Sequence, residues 1–348
     1  MLSVREYRVN KTIKAGVLLG LALAAGTATA ANVTYQPRFD MEVQTNDNFN
    51  LAPDSADAID TLGYIADAEV LVDIANPRGS TMLRPRLRFQ EYPDHDEDLE
   101  RVESFFDLVS DYRWERSSFT LDANYSLRDV YNTETLGGEF DPDNPGSPDN
   151  PEGGTITTGE TRELFVMRPS YQHRLTERTS LGLIAHYQIA RYDADDDATT
   201  KTDYDYYGAG AYLQWALSPR SDVSAGAYAS LYETTDNTEE ADATGVQVTY
   251  AHRWSETDGI ELTAFYEEND VTEFVPVRTE ETTSDFGGSI TAYRKLEVST
   301  WRLVASRRFL PTGDAGKQTL DSIRLQYDRS LSQRLEFRGA ARLESRSG

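Results

Sequence analysis

From Ala31 onward the chain alternates apolar and polar residues at a period of two, segment after segment. Successive side chains of a β-strand point to opposite faces, so sustained alternation makes strands with one apolar and one polar face. Tyr35, Pro37, Phe39, Met41 and Val43 share one face, and Gln36, Arg38, Asp40, Glu42 and Gln44 share the other. Phe119, Leu121, Ala123, Tyr125 and Leu127 oppose Thr120, Asp122, Asn124, Ser126 and Arg128. Near the end, Leu335, Phe337, Gly339, Ala341 and Leu343 oppose Glu336, Arg338, Ala340, Arg342 and Glu344. No stretch after residue 30 keeps the i, i+3, i+4, i+7 spacing of an amphipathic helix for three turns. The sequence predicts an all-β chain.

The connections alternate as well. Tight turns fall at Asn76–Gly79, Glu115–Ser117, Thr176–Arg178, Ser218–Arg220, Ser255–Asp258 and Ser332–Arg334, and spacing adds one near Leu296–Val298. Four of them share a recipe of apolar residue, small hydroxyl and polar pair: Leu175-Thr-Glu-Arg, Leu217-Ser-Pro-Arg, Trp254-Ser-Glu-Thr and Leu331-Ser-Gln-Arg. Between them lie long acidic loops at Pro93–Glu100, Asn132–Gly159, Asp193–Lys201, Thr234–Asp242, Asp270–Glu281 and Pro311–Gln318. The spacing predicts fifteen strands, at 34–45, 61–75, 80–92, 101–114, 118–131, 160–175, 179–192, 202–217, 221–233, 243–254, 259–271, 282–296, 298–310, 319–331 and 335–345.

The first thirty residues read differently. Arg5, Arg8, Lys11 and Lys14 precede the apolar run Ala15–Ala25, and Ala28-Thr-Ala30 supplies small residues for cleavage. An apolar core of about eleven residues is too short to span a bilayer and fits a secretory signal cleaved near Ala30. That leaves residues 31–348 as the mature domain, with 30 basic and 58 acidic side chains once four basic residues and Glu6 are removed from totals of 34 and 59. Such an acidic chain argues against nucleic acid, which needs a basic patch to neutralise phosphates. With no Cys, disulfide scaffolds, thiolate metal sites and cysteine nucleophiles are excluded.

A β-propeller has a repeat of similar length but needs four short strands per repeat where this chain has two long ones. A soluble sandwich has no reason for systematic short and long connections. A transmembrane, antiparallel up-and-down β-barrel expects both features: two-faced strands, short periplasmic turns and long external loops. Tyr112, Trp114, Trp215, Trp254, Trp301 and Phe309 lie near strand ends, where interfacial aromatic girdles belong. Bacterial barrels carry even strand numbers, and the chain stops at Glu344–Gly348, which reads as the start of an external loop. The expectation is a barrel of about sixteen strands whose last strand is missing from a C-terminally truncated chain. Its place is the outer membrane of a Gram-negative bacterium, among lipid and lipopolysaccharide and after delivery by the barrel-assembly machinery.

Tyr35-Gln-Pro-Arg-Phe-Asp-Met-Glu-Val-Gln-Thr-Asn-Asp-Asn-Phe-Asn-Leu51 resembles the opening of the β-barrel porin-2 group of proteobacterial outer-membrane proteins. So does Arg307-Arg-Phe-Leu-Pro-Thr-Gly313, leading to Tyr327-Asp-Arg-Ser-Leu-Ser-Gln-Arg334. The likeness runs loosely over the whole mature chain. It implies a porin-like barrel and, through group members associated with exopolysaccharide loci, a polysaccharide partner. No catalytic residue carries over.

Polar faces turned inward put Arg84, Arg86 and Arg88 in the lumen, flanked by Asp67, Glu69 and Asp73 on one side and Glu103, Asp107 and Asp111 on the other. The last three segments add Arg302, Arg308, Arg324, Arg338 and Arg342, with fewer acids. Two readings stay open: a cross-strand charge ladder that stiffens the wall, or a transverse field that guides anions through a pore. Asp193, Asp195 and Asp197 start like a calcium loop, but Ala198 stands where Gly is needed and Tyr204 where the bidentate Glu belongs. No metal site or cofactor is expected. Of four histidines, His95 lies in a loop, His173 and His252 beside turns, and only His186 faces inward mid-strand, too little for an enzyme. The expected activity is a channel for small solutes or polysaccharide export, against a non-conducting structural or adhesive barrel. N-terminal sequencing of the exported protein should read from Ala31; an intact Met1 terminus would overturn the signal reading.

Overall fold

The computed structural model describes residues 32–46, 61–91, 101–129, 160–194, 202–236, 238–274, 278–311, 317–332 and 335–347. The proposed signal and most of the long-loop residues, including Asn132–Gly159, His95, Asp195 and Asp197, lie outside them. Among the described residues, fifteen strands form one sheet in chain order. They are β1 (Asn32–Asn46), β2 (Thr61–Asn76), β3 (Gly79–Glu91), β4 (Arg101–Arg113) and β5 (Ser117–Asp129). Then come β6 (Glu160–Arg174), β7 (Thr179–Ala194), β8 (Tyr204–Ser218), β9 (Ser221–Thr234) and β10 (Glu239–Arg253). Last are β11 (Asp258–Glu273), β12 (Thr279–Lys295), β13 (Ser299–Pro311), β14 (Lys317–Ser332) and β15 (Leu335–Ser347). Every neighbouring pair in this order is antiparallel, so the all-β up-and-down architecture is as the alternation predicts. β1 and β15 are the two edges, with no pairing between them among the described residues.

The shared turn recipe has a physical basis. The Oγ1 of Thr176 accepts from the amides of Arg178 and Thr179 at 3.2 and 3.0 Å. The Ser218 hydroxyl accepts from Arg220 at 3.1 Å, and Ser255 from Thr257 and Asp258 at 3.1 and 3.0 Å. A hydroxyl two or three residues back thus closes the turn. Each turn is also stitched to the next hairpin. The amides of Arg113, Arg174, Ala216 and Arg253 donate to the carbonyls of Arg78, Arg116, Arg178 and Arg220 at 2.7 to 2.8 Å. The turn at Leu296–Val298 is present, with the Leu296 amide on the Ser299 carbonyl at 2.7 Å.

Two expected long loops are short: in place of Asp270–Glu281, β11 runs to Glu273 and β12 starts at Thr279, and the connection of β9 to β10 is shorter still. β9 runs to Thr234 and β10 starts at Glu239, not at 243. The Oγ1 of Thr234 accepts from the amides of Thr238 and Glu239, and Asp236 accepts from the hydroxyl and amide of Thr238. Those bonds hold the Asp236 carboxyl below its usual range. Acidic composition read as loop, whereas Glu239, Ala241 and Ala243 continue one strand face.

The two faces differ as an inside-out protein requires. On β3, Pro85, Leu87 and Phe89 are exposed, while Arg84, Arg86 and Arg88 are half-buried and Gln90 is buried. On β1, Tyr35, Phe39, Met41 and Val43 are 63–74% exposed. The polar face is the covered, inner one; the apolar face looks outward. Tyr35, Trp215, Trp254 and Trp301 are among its exposed aromatics.

The inner face is not polar throughout. Towards the long-loop ends of β6 to β10, Leu164, Val166, Ala190, Tyr192, Tyr204, Tyr232 and Ala241 form a buried apolar cluster. Tyr204 and Tyr232 pack at 5.2 Å between ring centroids, and Gln188 donates to the Tyr204 hydroxyl at 2.8 Å. Lower on the same face, four aromatic rings lie on glycines directly opposite them: Tyr212 on Gly182, Tyr228 on Gly245, Phe265 on Gly287 and Tyr293 on Gly259. Glycine here permits close approach rather than an unusual backbone angle. A Cβ on Gly226 would sit 2.5 Å from the Ala211 carbonyl oxygen, whereas one on Gly208 would have nothing nearer than 3.6 Å. Gly226→Ala should therefore cost about 1–3 kcal/mol, and Gly208→Ala less than about 0.5 kcal/mol, measured by urea unfolding of the lipid-inserted barrel.

Candidate functional site on the inner wall

Register carries every proposed lumen residue to one face. Arg84, Arg86 and Arg88 oppose Asp107, Phe105 and Glu103 across β3–β4, and Arg86 and Arg88 oppose Glu69 and Asp67 across β2–β3. At the other edge Arg302 opposes Gln326, Arg308 opposes Leu320, Arg324 opposes Val304 and Arg342, and Arg338 opposes Asp328. The side chains of Arg308 and Arg338 lie outside the described residues.

The β3 arginines are held by acids. Asp67 accepts from Nε of Arg86 at 2.8 Å and of Arg88 at 3.2 Å. Arg88 also approaches Glu103 at 3.8 Å, and Arg84 binds Asp107 at 3.0 Å. Glu103 is 1% exposed and accepts from the Gln90 amide at 3.4 Å. Phe105 lies among the guanidinium groups of Arg86, Arg128 and Arg88, at 5.0, 5.3 and 6.0 Å from its centroid. An aromatic face attracts cations, so Phe105 holds three like charges together where carboxylates neutralise them. Further round, Arg168 approaches Asp122 at 3.7 Å.

The far edge is built differently. Arg324 and Arg342 are direct register partners across β14–β15, and Arg342 binds Glu344 on its own strand at 2.6 Å. Like charges placed opposite one another on a sheet are destabilising. The two basic groups of the wall thus differ: acids from both neighbouring strands interleave the β3 arginines, while arginine faces arginine at the other edge.

His186 sits mid-β7 on the inner face, edge-on to Tyr206 at 5.1 Å, and its buried Nε2 has no hydrogen-bond partner. His173 and His252 belong to outward pairs that sequence reasoning did not find: Nδ1 of each meets the hydroxyl of Ser117 or Ser221 at 2.8 or 2.7 Å. Each histidine stacks beside the tyrosine two residues before it. The signal was available as the repeated Tyr-x-His-Arg at Tyr171–Arg174 and Tyr250–Arg253. Recurrence at equivalent strand ends marks wall construction. Also missed was a hollow of about 280 Å³ on the inner face, lined by Tyr212, Gln214, Asp222, Tyr228, Gln247 and Glu261 among others. Gln214 donates there to Asp222 at 2.9 Å and accepts from Gln172 at 2.8 Å. Among the described residues no group of three or more His, Asp or Glu is placed to hold a metal ion.

No family model matches the sequence, and no curated protein does. Similar solved structures are outer-membrane β-barrels. The FrpB iron transporter from Neisseria meningitidis is 9% identical with a TM-score of 0.49, over 93% of this chain and 56% of that one. The ferric preacinetobactin receptor BauA from Acinetobacter baumannii is 11% identical at 0.46, over 87% and 53%. A mutant porin of Rh. blastica is 11% identical at 0.30, over 90% and 94%. The chain spans about half the length of the two iron-related proteins. Such values transfer neither a residue role nor a ligand.

Removing the acid that two arginines share should expose its structural role. Asp67→Ala leaves Arg86 and Arg88 without a common acceptor and should cost about 1–3 kcal/mol. Arg113→Ala, at a 74% exposed side chain paired with Asp111, should stay within about 0.5 kcal/mol. Denaturant titration of the folded barrel checks both.

Proposed function

We propose that the chain is the wall of an outer-membrane β-barrel whose polar lumen passes small hydrophilic solutes, with anions favoured by the basic strip on its last three strands. The observation that supports this is the inversion of the faces: apolar side chains exposed, charged side chains covered, along a register that shifts only near the turns at Ala216–Ser218 and Ser330–Ser332 among the described residues. Only helices and closed barrels satisfy their backbone in lipid, and this chain has the strands. By that reading the short-turn ends are periplasmic and the long loops external. Membrane lipid, lipopolysaccharide and the barrel-assembly machinery are the partners such a wall requires. The β3 arginines act as wall, because Asp67, Asp107 and Glu103 hold them. Arg302, Arg308, Arg324, Arg338 and Arg342 act on the solute.

The inner hollow favours a second reading, passage of saccharide. The tyrosines Tyr212 and Tyr228 offer apolar ring surface beside the hydroxyl-binding groups of Gln214, Asp222, Gln247 and Glu261. That pairing suits sugar rings, and it accords with the resemblance to the porin-2 group.

Single-channel recording in a planar bilayer tests both. The mature chain should open ion-conducting steps, with a reversal potential in a salt gradient that reports anion preference. Neutralising Arg324, Arg338 and Arg342 to Gln should move that potential towards zero, and neutral oligosaccharides should block the steps if the second reading holds. A folded but silent barrel overturns the channel and leaves a structural or adhesive role.

A further inference from the structure

An ion pair joins β13 and β14 on the outward face. Arg307 and Asp321 belong to the outward, apolar side, in register with Gly288 and Ser345, and above the row Ile290, Ala305, Ile323, Leu343. Nε and Nη2 of Arg307 bind the two Asp321 oxygens at 2.7 and 2.6 Å, and the side chains stay 54% and 42% exposed. Arg307 lies about eight residues from Ser299 at the short-turn end of β13, and Asp321 about eleven from Ser332 at that of β14; at strand rise and barrel tilt these are about 20 and 28 Å, so the pair straddles the upper edge of an apolar band about 25 Å tall. On β6, β7, β9 and β10 the first outward charge above the girdle is Glu163, Arg191, Glu233 or Asp242, about 28 Å or more from the turn. Beside the pair runs a groove of about 640 Å³, walled by Phe286, Ile290, Ile323 and Leu343 over a floor of Gly288 and Ala305.

We propose that a second copy of this chain docks here, related by a two-fold axis along the membrane normal. The proposal rests on the membrane reading of the barrel. Arg307 and Asp321 stand side by side, in register on neighbouring strands. A half-turn about the normal sets each charge against its opposite in the facing copy, so Arg307 meets the partner's Asp321 and the converse. Acyl chains offer no acceptor to the rest of the guanidinium fork; a facing carboxylate does. The small residues Gly288 and Ala305 let two walls approach, as small residues do between membrane helices.

The absence of native Cys makes the test clean. In the chain inserted in liposomes, Ala305→Cys treated with a short bismaleimide should give covalent dimer, and Val246→Cys, outward on β10, should not. Arg307→Asp should abolish the Ala305→Cys dimer, and Arg307→Asp combined with Asp321→Arg should restore it. Equal crosslinking at both positions, or monomer at both, overturns the proposal; monomer that retains lipid on native mass spectrometry assigns the groove to lipid instead. Failure of the wild-type chain to become protease-shielded in liposomes overturns the membrane reading itself, and this face with it.

Discussion

Backbone amides and carbonyls in lipid have no water to bind, and in the outer-membrane wall proposed above every other feature of this chain follows from how that demand is met. Among the described residues the fifteen strands pair with their sequence neighbours, in order, so each hydrogen-bond ladder inherits its register from the one before. A slip of one residue would turn a strand's charged side chains to the outward, apolar face. The turn hydroxyls of Thr176, Ser218 and Ser255 guard against this by closing each hairpin at a defined residue. The stitches from Arg113 to Arg78 and from Arg174 to Arg116 then lock one hairpin to the next. A single face assignment therefore propagates from Arg38 on β1 to Arg342 on β15.

Within that face, charge is handled in two ways. Between β2 and β5 the acids Asp67, Glu103 and Asp107 interleave with Arg84, Arg86 and Arg88, and Phe105 fills the space among the guanidinium groups. Such an arrangement is locally balanced and stiff. At β14–β15 the register sets Arg324 against Arg342, with Glu344 binding Arg342 from its own strand and Asp328 opposite Arg338; like charges placed opposite one another cost stability. Departures from local consistency of this kind concentrate at working surfaces, which is why the solute-facing role is assigned to the far edge and not to β3.

Period-two alternation made strand number, strand faces and turn positions legible, because each is a property of the sequence read one residue at a time. What it hid depends on which residues meet across strands. Tyr212 and Gly182 are thirty residues apart, and only the β7–β8 register shows that one ring lies on the other's missing side chain. The same limit concealed Phe105 among its arginines and the two Ser–His pairs. Leu164, Val166 and Ala190 escaped for another reason: the rule that inward means polar has an exception where tyrosines fill the lumen side. At Thr234–Asp242 acidic composition outweighed alternation, and alternation was the better guide.

Charge is also divided along the strands. The turns end in Arg78, Arg116, Arg178 and Arg220, all exposed, with Arg113, Arg174 and Arg253 beside three of them. The opposite ends carry Glu163, Glu233, Asp242 and Glu268 on the outward face, before the acidic loops begin. In a chain with 59 acids and 34 bases, these arginines stand together at one rim, beside Glu115, Glu177 and Glu256 of the same turns. Fixed charge of opposite sign at the two ends of a low-dielectric wall gives its field a direction. In the channel proposed above, the transverse arginine strip and the arginines at the short turns would act on the same ions, and the conductance would then depend on the side from which an ion enters.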